Sequence, residues 1–140
     1  MKSIASFQAD AHANARAKGF WEKFEVHESV TGKILISISP LEQAGMLMLM
    51  VSELAEAMES IRRDEPPVWQ ECGIAGQKVL PSDAYWNPNQ KPEGALTELA
   101  DVVIRVMDFC GAMGWDLESA IAQKILFNAS RSHKHGGKAF

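Results

Sequence analysis

Glu53 and Glu56 are spaced i, i+3, and so, further along the chain, are Glu98 and Asp101. On a helix, at about 100° per residue, such a pair sits roughly 60° apart on one face, with Cβ atoms roughly 5–6 Å from each other. Two such pairs on facing helices would set four carboxylates around one cavity. Left to themselves they would repel by up to about 4 kcal/mol per close pair at an effective dielectric near 20. The pattern therefore calls for a cation. An oxygen-only ligand set suits a hard divalent ion, Mg²⁺ above all with Mn²⁺ as a substitute, whose remaining positions go to water and substrate phosphates. A ferritin-like di-iron site would need histidine three residues after glutamate on two helices, and no histidine stands at those positions.

The elements that must position these acids follow from periodicity and punctuation. Leu47, Val51, Leu54, Met58 and Ile61 mark one face of a helix over 41–64, and Leu99, Val102, Val103, Val106, Cys110 and Met113 mark another over 95–113. A short helix is expected over 3–18, capped by Ser3 and stopped at Gly19. A last one is expected from the Asp116 cap to about Ser132, with Ile121, Ile125 and Leu126 inward. Residues 26–38 alternate like a strand through Ile34, Ile36 and Ile38, yet nothing elsewhere reads as a partner, so they are left extended or irregular. Between the acidic helices, Asp64–Glu93 carries five of the six prolines together with Trp69 and Trp86. A connection that long is commonly a lid, a binding loop or disordered. Helices without a sheet predict an all-α, four-helix-type bundle in one domain, 1–140.

A plainer reading competes. Helical-wheel arithmetic puts Glu53, Glu56, Glu98 and Asp101 opposite the strongest apolar stripe of their own helices, where they would be solvated surface, with Asp101 and Arg105 as an i, i+4 pair. Met46, Leu49 and Met50 border the acidic face of the second helix, however, so that helix is apolar on two sides and has room for two partners, one of them another subunit.

Composition narrows the class. A net charge of −4, from 18 acidic and 14 basic residues, gives no broad attraction for duplex nucleic acid or an anionic membrane. No apolar run approaches the roughly 20 residues of a membrane span, and the N-terminus lacks a signal-peptide block, so the expected location is cytoplasmic. Cys72 and Cys110 lack the paired spacing of a zinc site and read as free thiols.

The ordered set Ser52-Glu53-Leu54-Ala55-Glu56-Ala57 and Glu98-Leu99-Ala100-Asp101-Val102-Val103-Ile104-Arg105 resembles the E-x-x-E and E-x-x-D signature of the MazG-like branch of the all-α nucleoside triphosphate pyrophosphatases. The likeness extends to Lys18-Gly19-Phe20-Trp21, to Gly114-Trp115-Asp116-Leu117, and to Lys124 through Asn128, Arg131 and His135-Gly136-Gly137-Lys138, in all roughly two thirds of the chain. The connection between the acid pairs is longer here than is usual in that family.

The two apolar sides of the second helix predict a homodimer or homotetramer, and the resemblance implies hydrolysis of a nucleoside triphosphate to the monophosphate and pyrophosphate, a house-cleaning activity on nucleotide pools. Glu53, Glu56, Glu98 and Asp101 would carry Mg²⁺, and Glu53 or Glu56 would activate water. Lys124, Asn128 and Arg131 would meet phosphate, sugar or base, and Trp21, Trp69 or Trp86 would stack on the base. His133 and His135 would lie near phosphate or in a free tail. A reading from another class is a non-catalytic helical module whose acidic face docks a basic partner or a nucleotide without turnover.

Overall fold

The structure is a computed structural model that describes residues 2–73 and 76–131. His133, His135 and the glycines that follow lie outside the described residues. Four α-helices and two short antiparallel ribbons make up the regular structure of that part. Ser37–Val106 pack as one compact unit, and the residues before and after it pack as another.

Local signals place the helices. α1 (Ile4–Ala17) begins where the Ser3 hydroxyl accepts the Ser6 N–H and is followed by Gly19 at φ 80. α2 (Pro40–Arg62) opens with Pro40 behind a capping box, in which Ser39 Oγ accepts from the Glu42 N–H and Glu42 accepts from the Ser39 N–H. α3 covers Ala95–Ala112. α4 (Leu117–Ala129) starts at Asp116, whose carboxylate takes the Ser119 N–H and hydroxyl, and it ends short of the expected Ser132.

The unit outside Ser37–Val106 buries Ala15, Trp21, Phe24, Phe109 and Cys110. The segment expected to lack a strand partner supplies its own: β1 (Glu25–His27) pairs with β2 (Ile34–Ile36), Val26 opposite Leu35. Periodicity within a single stretch of sequence cannot reveal that the stretch folds back on itself.

In the Ser37–Val106 unit the expected inner face of α2 is turned outward. Leu47, Val51, Leu54, Met58 and Ile61 are between 46 and 66 % exposed, whereas Met50, Glu53, Ala57 and Ser60 on another face are buried. The same correction applies to Leu99 and Val103 on α3 and to Ile125 and Leu126 on α4, all exposed. An apolar stripe fixes which residues share a face and leaves open what covers that face.

The connection between α2 and α3 is ordered. β3 (Gln70–Glu71) pairs with β4 (Lys78–Val79), and Trp69 and Glu93 exchange backbone hydrogen bonds of 2.9 and 2.8 Å. Gln70, 1 % exposed, clasps the loop: its Nε2 donates to the carbonyls of Asn87 and Gln90, and its Oε1 accepts from the Asn87 N–H. Gly94, at φ 110, lies so close to the Pro66 and Pro67 carbonyls that a Cβ would stand 2.6 Å from both oxygens. That close approach lets the Leu96 N–H reach Pro67 O and joins the insertion to the start of α3.

Candidate metal centre

The register of α2 puts Glu53 and Glu56 on adjoining positions of one side, and Gly94 starts α3 so that Glu98 falls in its first turn, where the positive end of the helix dipole favours an anion. One carboxylate oxygen from each of Glu53, Glu56 and Glu98 lies within 4.8 Å of the other two. Two oxygens each roughly 2.1 Å from one magnesium ion can be at most roughly 4.2 Å apart. Ligands of one octahedral ion stand roughly 3.0 Å apart when cis, and only one pair of three can be trans, so the trio must draw closer to share an ion; its donor set is all oxygen. The residues fit Mg²⁺ or Mn²⁺ on the chemistry of their donors.

Electrostatics sharpen the geometry. Glu98 is 5 % exposed, and none of the described residues donates a side-chain hydrogen bond to it. Burial pushes its carboxyl above the ordinary 4.5; Lys91 pulls it part of the way back, and Glu56, Asp101 and Glu53 push it further up. Glu53, also buried, is compensated differently: Arg105 reaches its Oε1 with Nη2 at 2.6 Å and Nε at 2.9 Å. The Asp101–Arg105 pair expected from spacing is thus replaced by a bond from α3 to α2. Asp101 is half-buried and outside the trio, though its charge acts on Glu98.

Glu56 and Glu98 open into a cavity of about 610 Å³, within the size range of small-molecule sites. One wall is α2, through Ser52, Glu59 and Ser60, with Arg63 at its C-terminal cap. The other is the insertion, through Trp69, Gln90, Lys91 and Glu93. The expected lid segment is therefore a built wall of the acidic cavity. Trp69 lines it, with Lys78 Nζ 4.3 Å from its ring centroid and its buried Nε1–H lacking a partner among the described residues. Trp86 is half-buried and is not part of the lining.

The remaining candidates lie in the other unit. Trp21 is 2 % exposed, packs edge-on against His12 and tilted against Phe24, and gives its Nε1–H to Asp108 at 2.8 Å. The expectation that it offers a face to a base is corrected: it is a core side chain whose polar atom is already used. Lys124, Asn128 and Arg131 are exposed on or just after α4, with Lys124 and Arg131 both near the Phe127 ring, and none lines the cavity.

Two residues of this neighbourhood were not among those singled out as metal or substrate contacts. Spacing rules see only the helix that carries Arg105 and so match it to Asp101, whereas it bonds Glu53. Lys91 stands alone as a cation between Lys78 and Arg105 in sequence, a signal that means something only once the insertion is seen folded beside Glu98. Comparison with family models, with curated proteins and with solved structures finds no match for this chain.

Proposed function

We propose that the chain is a Mg²⁺-dependent nucleoside triphosphate pyrophosphohydrolase of the MazG-like kind, acting as a homo-oligomer in the cytoplasm on nucleotide pools. The observation that carries this reading is the Glu53, Glu56 and Glu98 trio beside a nucleotide-sized cavity, two of its members buried and Glu98 without a hydrogen-bond donor among the described residues. Carboxylates held this way are expensive unless a cation meets them.

Mg²⁺ bound there would withdraw charge from the phosphate oxygens. Glu56 borders the cavity whereas Glu53 is held by Arg105, which favours Glu56 as the group that orients water and takes its proton. The water oxygen bonds to phosphorus, the α–β anhydride bond breaks, and pyrophosphate leaves. Asp101, acting beside Glu98, completes the acidic set. Lys124, Asn128 and Arg131 remain proposed contacts for phosphate or sugar through the assembled oligomer. Trp69 is the aromatic side chain best placed for the base.

Oligomerisation rests on the exposed stripes of α2 and α3, a larger run of apolar side chains than monomers usually leave in water. Sedimentation at micromolar concentration should give a dimer or tetramer; a clean monomer would remove that part of the reading. The decisive assay is pyrophosphate release from each common NTP and dNTP, with Mg²⁺ and with EDTA. Turnover with Mg²⁺ that EDTA abolishes supports the reading, and inactivity toward every nucleotide would leave the non-catalytic docking module in its place.

A further inference from the structure

The insertion between α2 and α3 presents a lysine to the acidic cavity from a backbone that is firmly tied. Lys91 lines that cavity together with Glu56 and Glu98. Its ammonium is solvent-accessible and, among the described residues, is held by Glu93 alone, at 3.2 Å, a short-range exposed pair of little intrinsic value that a stronger anion would displace. The segment carrying it is anchored on both sides, by Gln70 through the Gln90 carbonyl and by the Trp69–Glu93 backbone pair. Gln90 itself bonds back to the Glu71 carbonyl.

We infer that Lys91 is a substrate-contacting residue, which takes the polyphosphate oxygens left uncovered by the metal and makes the insertion part of the binding site. The inference rests on the function proposed above. A lysine suits the task because its ammonium is a compact charge with three rotatable donors, able to follow a phosphate as charge shifts during cleavage. The surrounding acids support it: Glu93 first, then Glu98 and Glu56, hold the Lys91 ammonium above its ordinary 10.5 against the opposing effect of burial, so it stays charged throughout the physiological range.

The test uses the full-length protein and Lys91→Gln, Lys91→Met and Lys91→Arg, each checked for unchanged helicity. The glutamine and methionine variants should lose roughly ten- to a hundredfold in kcat/KM for the best NTP, the range of a charge-assisted hydrogen bond, and the arginine variant should recover most of it. Mg²⁺ titrated without nucleotide should bind these neutral variants as tightly as wild type or tighter, since a positive charge beside the acids has gone. Inorganic tripolyphosphate, which has neither base nor sugar, should inhibit wild type and weaken as an inhibitor of Lys91→Gln by a similar factor. Wild-type kcat/KM in Lys91→Gln, weakened Mg²⁺ binding, undiminished tripolyphosphate inhibition, or no recovery in Lys91→Arg would each overturn the assignment. An inactive wild-type protein would overturn the proposed function itself, and this role with it.

Discussion

Asp108 and Glu98 sit on the same helix and both are withdrawn from solvent, yet they are provided for in opposite ways. Asp108 accepts hydrogen bonds from His12 Nδ1 and Trp21 Nε1, each at 2.8 Å. Glu98 has no such donors among the described residues, and three further carboxylates act on it. A carboxylate that serves packing arrives with its donors; one surrounded by its own kind is arranged for a cation supplied from outside. Under the proposed function, the difference separates a structural acid of this helix from a metal-binding one more clearly than burial does.

The comparison breaks most visibly in turnover. Glu56→Gln, Glu98→Gln and Asp101→Asn should each cut pyrophosphate release by roughly a thousandfold while leaving circular dichroism unchanged, the scale expected when charge stabilisation of a phosphoryl centre is lost. Asp108→Asn, by contrast, should leave the kcat of the folded protein near wild type. If the two classes of variant behaved alike, the distinction drawn between these acids would collapse.

Stability should then run the other way. Asp108→Ala strands the Trp21 indole N–H and should cost about 1–3 kcal/mol in urea unfolding. Glu98→Gln removes a buried charge and should unfold no earlier than wild type in EDTA. Added Mg²⁺ should raise the wild-type melting temperature, by the equivalent of about 2.7 kcal/mol at a hundred times Kd, and leave Glu98→Gln where it was. A Mg²⁺-induced rise of wild-type size in Glu98→Gln would remove it from the ligand set.

Gly94→Ala tests the join between insertion and helix. Its φ of 110 and the two carbonyls in the way of a Cβ should cost roughly 1–3 kcal/mol, read as a lower denaturation midpoint with activity falling in parallel.

The smallest effect is in pH. The folded carboxyl of Glu98 lies above its ordinary 4.5, so its contribution to stability is fully present below that value and fades as pH rises through the raised one. Asp116, lowered by the Ser119 backbone and hydroxyl bonds, contributes above its ordinary 3.8 and loses that contribution as pH falls through the lower one. In EDTA, Glu98→Gln should flatten the decline of stability on the rising side, while Asp116→Ala should flatten it on the falling side. Melting curves from pH 3 to pH 8 would show either slope unchanged if the assignment were wrong.

The helices were largely legible because their ends are written in local chemistry: Ser3, Ser39 with Glu42, Asp116, Gly19 and Gly114 act within a turn of where they stand. The pairing of Glu53 with Glu56 was legible for the same reason. What periodicity could not supply was the neighbour. It did not say that Arg105 would reach Glu53 in place of Asp101, or that the longest stripe of α2 would stay uncovered in a single copy. Nor did it show that Trp21 would give its indole nitrogen to Asp108. The insertion was least legible, since it is held by one buried amide and backbone bonds distant in sequence, with few large apolar residues to mark it.

That amide gives the molecule a mechanical vulnerability far from any reacting atom. Gln70 presents its NH₂ group to two carbonyls and its oxygen to one N–H, so no group of the same shape but opposite polarity can take its place. A glutamate there would aim lone pairs at lone pairs and spring the clasp, freeing the loop segment that bears Lys91. The chain could then keep every acid in position and still lose its grip on an anionic ligand, undone by a side chain with no chemistry of its own.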